Sequence, residues 1–261
     1  MKLLIMHGSY RKNGNTGTIV KLLQQHLTEE AKKLEETVDI EVISFSEQQI
    51  EVCKGCRACF DHSEQSCPQK DDVLKLYETM KQADGIILGS PVYVEDVTGS
   101  MKNWIDRMAF SCHRPFLSGK PVLLFVTSGA KTTNHAVRTM GAAISAWGGV
   151  IAGSSYYQMG ELMSSETAKR RFGEKIRRQS ILLLQAVKNG KPSLYSLVAF
   201  TIQQMYWRRK EDDNSVDYRY WKEHGWLEQK CYYYDSDSKR GLRLHMARIL
   251  GLLAGRYYVR D

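Results

Sequence analysis

Short apolar, β-branched runs alternate with longer amphipathic stretches from Met1 to Val187, and a parallel sheet flanked by crossover helices needs that alternation. Five runs read as strands: Lys2 to Met6, Asp39 to Ser44, Gly85 to Leu88, Pro121 to Thr127 and Gly149 to Ser155. Between them Ile19, Leu22, Leu23, Leu27, Ala31 and Leu34 fall on one helical face. Asp72 to Gln82, Ser100 to Phe110 and Asn134 to Trp147 supply three more crossover helices, the last stopped by Gly148 and Gly149. Ser164-Ser165-Glu166 caps a further helix to about Val187, and Asn189-Gly190-Lys191-Pro192 breaks it. A domain edge is expected there, with 1–189 as the α/β domain and 190–261 as an extension. The extension lacks the strand-helix alternation and carries nine of the fourteen tyrosines and three of the five tryptophans.

With 43% hydrophobic and 25% charged residues, the chain has the composition of a soluble globular protein. The apolar stretch before His7 is too short for a signal peptide or a membrane span, so the cytoplasm is the expected location and no transmembrane segment is expected. A formal charge of +8 raises the question of nucleic acid. The charge is spread, however: Lys169-Arg170-Arg171, Arg177-Arg178 and Arg208-Arg209-Lys210 read as solvated helix faces, and no nucleic-acid partner is expected.

Strand one ends in "HGSYRKNGNTGT", with a helix starting near Thr16 or Gly17. The amino end of a helix offers unpaired N–H groups and the positive end of the macrodipole, which suits a phosphate. Ser9, Asn15 and Thr16 add polar donors, Arg11 adds a charged fork, and Gly14 and Gly17 let the backbone wrap closely. The loop is neither a Walker loop nor a dinucleotide fingerprint. Two more polar loops, Ser90-Pro91-Val92-Tyr93 and Thr127-Ser128-Gly129, close strands three and four at their carboxyl ends, where open α/β sheets bind ligands. The set fits a planar, phosphorylated, heteroaromatic ligand.

Together these loops resemble the flavodoxin-like superfamily, and more narrowly the NADPH-dependent FMN reductases and iron-sulfur flavoproteins. The family's G-S-x-R-x-x-x-N-T phosphate loop maps onto Gly8, Ser9, Arg11, Asn15 and Thr16. Its S-P-V-Y turn followed by K-x-x-x-D-R maps onto Ser90 to Tyr93, Lys102, Asp106 and Arg107. The resemblance implies a three-layer sandwich with strand order 2-1-3-4-5, bound FMN and NAD(P)H as co-substrate. The FMN-binding residues it implies are Ser9, Arg11, Asn15, Thr16, Gly17, Pro91, Val92, Tyr93, Thr127, Ser128 and Gly129. After Gly129 the chain reads Ala130-Lys131-Thr132-Thr133, without the family's glycine-rich continuation.

Four of six cysteines fall in "CKGCRACFDHSEQSCP", spaced C-x2-C-x2-C-x7-C and followed by proline. In a reducing compartment such a cluster points to metal or redox chemistry. The match to the bacterial ferredoxin spacing is partial, zinc prefers two separated knuckles, and an empty relative of the motif is the third alternative. The iron-sulfur flavoproteins resemble this segment better, with Asp71-Asp72 downstream. That likeness makes Cys53, Cys56, Cys59 and Cys67 candidate [4Fe–4S] ligands, while Cys112 and Cys231 read as ordinary thiols.

The expected function is thus an FMN-dependent oxidoreductase that moves electrons from a nicotinamide to an unidentified acceptor. The flavin carries the chemistry, with no acid-base catalytic residue. A non-enzymatic electron carrier and a thiol-metal interaction protein are the alternatives. The helical, aromatic-rich extension is expected to serve as a lid, dimer arm or partner contact, and the chain as a homodimer or higher oligomer.

Overall fold

The computed structural model describes residues 1–130, 134–234 and 242–258. Strands β1 (Lys2–His7), β2 (Asp39–Ser44), β3 (Gly85–Pro91), β4 (Pro121–Ser128) and β5 (Val150–Gln158) pair in parallel in the order 2-1-3-4-5. The central strands read as unbroken apolar runs because both of their faces are covered: Leu3 to Met6 and Ile86 to Leu88 are all buried. β3 runs further than its apolar stretch predicts, because Ser90 and Pro91 still pair with Val126 and Thr127. β5 likewise continues to Gln158 opposite Ser128, so their loops start at a common level.

One face of the sheet is covered by α1 (Asn15–Lys33) and α6 (Ser165–Asn189), the other by α3 (Val73–Gln82), α4 (Gly99–Arg107) and α5 (His135–Ala146). The short α2 (Ala58–Asp61) lies in the cysteine loop. Ile19, Leu22, Leu23, Leu27 and Ala31 form the buried stripe of α1, but Leu34 falls past the helix end and is exposed. α4 stops at Arg107 rather than Phe110, and Ala109–Cys112 tightens into a 3-10 turn. Ser164 caps α6 by accepting from the Thr167 N–H, as the sequence predicts. On that helix Arg177 and Arg178 both close on Glu174, holding its carboxyl at about 2, which makes this basic run a solvated, internally paired face.

Beyond α6 lie α7 (Leu194–Arg209), α8 (Val216–Glu223) and α9 (Leu242–Tyr258). Much of the extension's aromatic content forms a core of its own. Tyr218, Trp221, Trp226 and Tyr233 pack with Phe200 and Trp207. This cluster is anchored to the loop after α4, where the Trp221 indole donates to the His113 carbonyl (2.8 Å) and Gln203 to that of Cys112 (3.2 Å). Lys131, Thr132, Thr133 and Asp235 lie outside the described residues.

Candidate functional site

At the carboxyl edge, where strand order reverses between β1 and β3, a cavity of about 200 Å3 opens. Its walls include Ser9, Arg11, Asn15 and Thr16 from the first loop, Pro91, Val92 and Tyr93 from the end of β3, and Thr127, Ser128 and Gly129 from the end of β4. Gly17, also expected in the cup, faces a neighbouring hollow with Lys12 and Asn13. A Cβ there would lie 3.0 Å from the Lys12 carbonyl, so glycine at this position lets the loop close on itself.

The first loop is held from below. The Gly8 N–H donates to the Gly89 carbonyl (2.9 Å), and the Thr98 hydroxyl at the head of α4 donates to that of Gly8 (2.8 Å). A Cβ on Gly8 would come within 2.6 Å of that hydroxyl, so the close approach of α4 needs glycine here. The Ser9 N–H donates to His7 Nδ1 (3.3 Å), and the Ser9 hydroxyl accepts from the Arg11 N–H (3.2 Å). His7 is buried, and burial lowers its pKa against the opposing charge of Glu47, which keeps Nδ1 available as an acceptor.

Gly14 precedes α1 without a side-chain cap, and the first turn holds no acidic residue, so the helix presents open N–H groups at the cup. Among the described residues the Arg11 guanidinium has no carboxylate partner. An anion at this point therefore meets the helix end and the Arg11 guanidinium.

Other expected donors are spent on the protein itself. The Asn15 amide donates to the Gly160 and Glu161 carbonyls (3.2 and 3.4 Å), and its oxygen accepts from the Met163 N–H (2.9 Å). Asn15 therefore staples the loop after β5 to α1. The Thr16 and Thr127 hydroxyls bond each other at 2.8 Å, and the Val92 N–H donates to the Thr127 carbonyl (2.8 Å). Tyr93 and Asp96 exchange backbone bonds across a tight turn whose central residues, Val94 (φ 48°) and Glu95 (φ 66°), are left-handed. The turn leaves the Tyr93 ring half exposed, 6.5 Å from that of Tyr10. Gly160 and Glu161 complete the wall and were missed from sequence, although the loop after β5 is the remaining carboxyl end on that side of the sheet.

The cysteine loop leaves β2 and lies beside α4. Left-handed Gly55 and Arg57 curl it, and Cys53, Cys56, Cys59 and Cys67 all line one cavity of about 180 Å3 with Phe60, Pro68 and Arg107. Among the described residues no three Cys, His, Asp or Glu side chains could hold one metal ion. A tetrahedral zinc would draw its thiolates to about 3.8 Å of one another, given Zn–S bonds near 2.3 Å. A [4Fe–4S] cluster, whose own irons and sulfides separate its ligands, asks for thiolates further apart than zinc does.

The base of this loop is clamped by α4. Asn103 accepts from the Cys53 N–H and donates to the Ile50 and Glu51 carbonyls, while one turn on Arg107 reaches Glu51 O, Gln69 O and Cys67 Sγ (3.6 Å) and forms a buried ion pair with Asp71. Burial pushes the Asp71 carboxyl up, but the bonds from Arg107 and from the Glu51 and Val73 N–H groups outweigh it and hold the pKa below the usual range. Asp72 accepts from the Gln49 N–H (2.8 Å), so both downstream aspartates tie the loop's exit to its entry. Lys102 and Asp106 pair on the exposed face (2.6 Å); of the K-x-x-x-D-R residues, only Arg107 turns inward. Arg114, also buried, joins the loop to the extension: it donates to the Cys59 carbonyl (2.6 Å) and pairs with Asp217 of α8. Cys112 and Cys231 are partly buried, and burial raises both thiols, as expected of unreactive cysteines.

A parallel 2-1-3-4-5 sheet with a polar cup at its carboxyl edge defines a flavodoxin-like α/β protein. The chain belongs to the NADPH-dependent FMN reductase family, whose sequence model matches residues 1–162. It is 41% identical over 107 residues to an iron-sulfur flavoprotein of Archaeoglobus fulgidus, a match covering 41% of this chain and 48% of that protein. A Clostridioides difficile protein of the same name is 26% identical over 230 residues, 86% of this chain and 99% of that one. The chain thus spans about half the length of the first of these relatives. Among solved structures, a flavone reductase shares the fold, with TM-score 0.58 and 16% identity over 74% of this chain and 66% of that one.

Proposed function

We propose that the protein is an NAD(P)H-dependent flavin oxidoreductase with FMN in the cup. The observation that carries this reading is the open amino end of α1 beside Arg11, which has no ion-pair partner among the described residues, in a cavity walled by three further carboxyl-end loops. The residues present fit the cofactor: the helix end, Arg11 and Ser9 would hold the phosphate, and Tyr93, Ser128 and Gly129 would flank the ring. When bound, the flavin supplies hydride and single-electron chemistry. The chain's own part is to orient and shield. The Thr16–Thr127 bond and the Asn15 staple fix the cup walls, and the left-handed turn at Val94 and Glu95 presents the Tyr93 ring at the mouth.

Residues 1–189 form the cofactor domain in this reading, and 190–261 an extension that braces the cysteine loop. The described part of the extension lines the cysteine loop's surroundings through Asp217 and none of the cup, which favours a supporting or partner-contact role over a lid. The four loop cysteines would hold a [4Fe–4S] cluster and pass single electrons to the acceptor. A cytoplasmic location fits, since the thiols stay reduced there. Steady-state NADPH oxidation by the anaerobically purified protein, with a quinone or ferricyanide as acceptor, tests the enzyme reading. Turnover without a partner reductase is expected; a flavin that NADPH leaves oxidised would make the protein a carrier instead.

A further inference from the structure

Helix α9 packs on α7 through its small residues. A Cβ on Gly251 would lie 2.5 Å from Thr201, one on Gly255 would lie 2.6 Å from Met205, and Ala247, one turn before Gly251, is fully buried. Turning the small residues inward sends the large ones out: Leu242, Met246, Ile249, Leu250 and Leu253 are 44–80% exposed. Their spacing places them on one continuous stripe. The matched contacts Thr201–Gly251 and Met205–Gly255 run the two helices side by side in one direction. The exposed Leu194 and Tyr195 of α7 therefore stand at the end that carries Leu242 and Met246. An apolar surface of this extent is more than scattered exposed leucines.

Charge decides what covers it. Neither α7 nor α9 contains an aspartate or glutamate, and together they carry Arg208, Arg209, Arg243, Arg248 and Arg256, with Arg243 and Arg256 exposed beside the stripe. A second copy laid on this face brings cations against cations. An anionic lipid surface meets the same face with opposite charge, and its acyl boundary accepts the leucines and the tyrosine. No helix among the described residues is long and apolar enough to cross a membrane, so the contact lies in the plane of the interface.

We propose that the outer face of α9, with the first turn of α7, is a docking surface for an anionic lipid membrane. Binding holds the domain reversibly at the bilayer, and it leaves the cup open because none of these residues lines it.

The test is co-sedimentation of the full-length holoprotein with vesicles of phosphatidylglycerol and phosphatidylcholine, compared with phosphatidylcholine alone. Binding at least tenfold greater to the anionic vesicles is expected, weakening as salt is raised. The double substitution Ile249→Glu with Leu253→Glu abolishes it and leaves NADPH oxidation unchanged. Equal binding to both vesicles, or none to either, overturns the proposal. So does a dimer seen by light scattering that the double substitution converts to monomer while vesicles are ignored, because the face then belongs to a second copy. The lipid comparison uses the unaltered chain and so does not depend on how the variant folds.

Discussion

Arg11 lines the cup and forms no ion pair among the described residues, so its charge is available to a phosphate. A charge-assisted bond of this kind is worth about 1.5–3 kcal/mol. Arg11→Ala is therefore expected to weaken FMN binding roughly ten- to hundredfold in a fluorescence titration, with riboflavin binding unchanged. His7 acts beneath the same loop. Burial lowers its pKa, so between that value and the ordinary one of about 6.5 the unfolded chain binds the extra proton. Stability should thus fall as pH drops below about 6.5, and His7→Asn should flatten that part of a pH-dependent denaturation series. Val94 is fully exposed yet held at φ 48°, where a β-branched residue costs on the order of 1–2 kcal/mol. Val94→Asn should raise the melting temperature by about 2–4 °C, since asparagine tolerates this conformation and no buried contact is lost.

At the scale of elements, α4 and the extension act as two clamps on the cysteine loop. Removing one partner of a buried ion pair leaves an uncompensated charge and costs about 3–5 kcal/mol. Arg107→Met, which strands Asp71, should lose stability of that order in urea unfolding, and Asp217→Ala should lose less, because Arg114 keeps Glu64 (3.5 Å) as a second carboxylate. Arg107→Met should in addition speed alkylation of Cys67, because the Arg107 guanidinium lies against Cys67 Sγ (3.6 Å) and the loop's stem opens without it. The strands and crossover helices were legible in sequence because a doubly covered parallel sheet writes itself as apolar runs between amphipathic ones. The ends of β3 and β5 were not: Ser90-Pro91 and Tyr156 to Gln158 join the sheet only because β4 is long enough to pair with them. The clamps were equally hidden, since Asn103 and Arg107 share a helix face that meets Glu51 and Asp71 only after folding.

For the whole molecule, the sequence located the cup's polar loops because they sit at strand ends, and ten of the eleven expected residues line one cavity. What each atom does there was not readable. The Asn15 amide and the Val92 N–H look like ligand donors in one dimension and are used up by Gly160 and Thr127 in three. The extension was legible as a separate texture, but not as a brace, because Arg114 and Asp217 lie far apart in the chain. The central claim, that the cup recognises flavin through its phosphate, is tested most directly by titrating the flavin-free protein with FMN and with riboflavin. One FMN per chain, bound on the order of a hundredfold more tightly than riboflavin, is the expected result. Equal affinity for the two, or no binding of either, would contradict it.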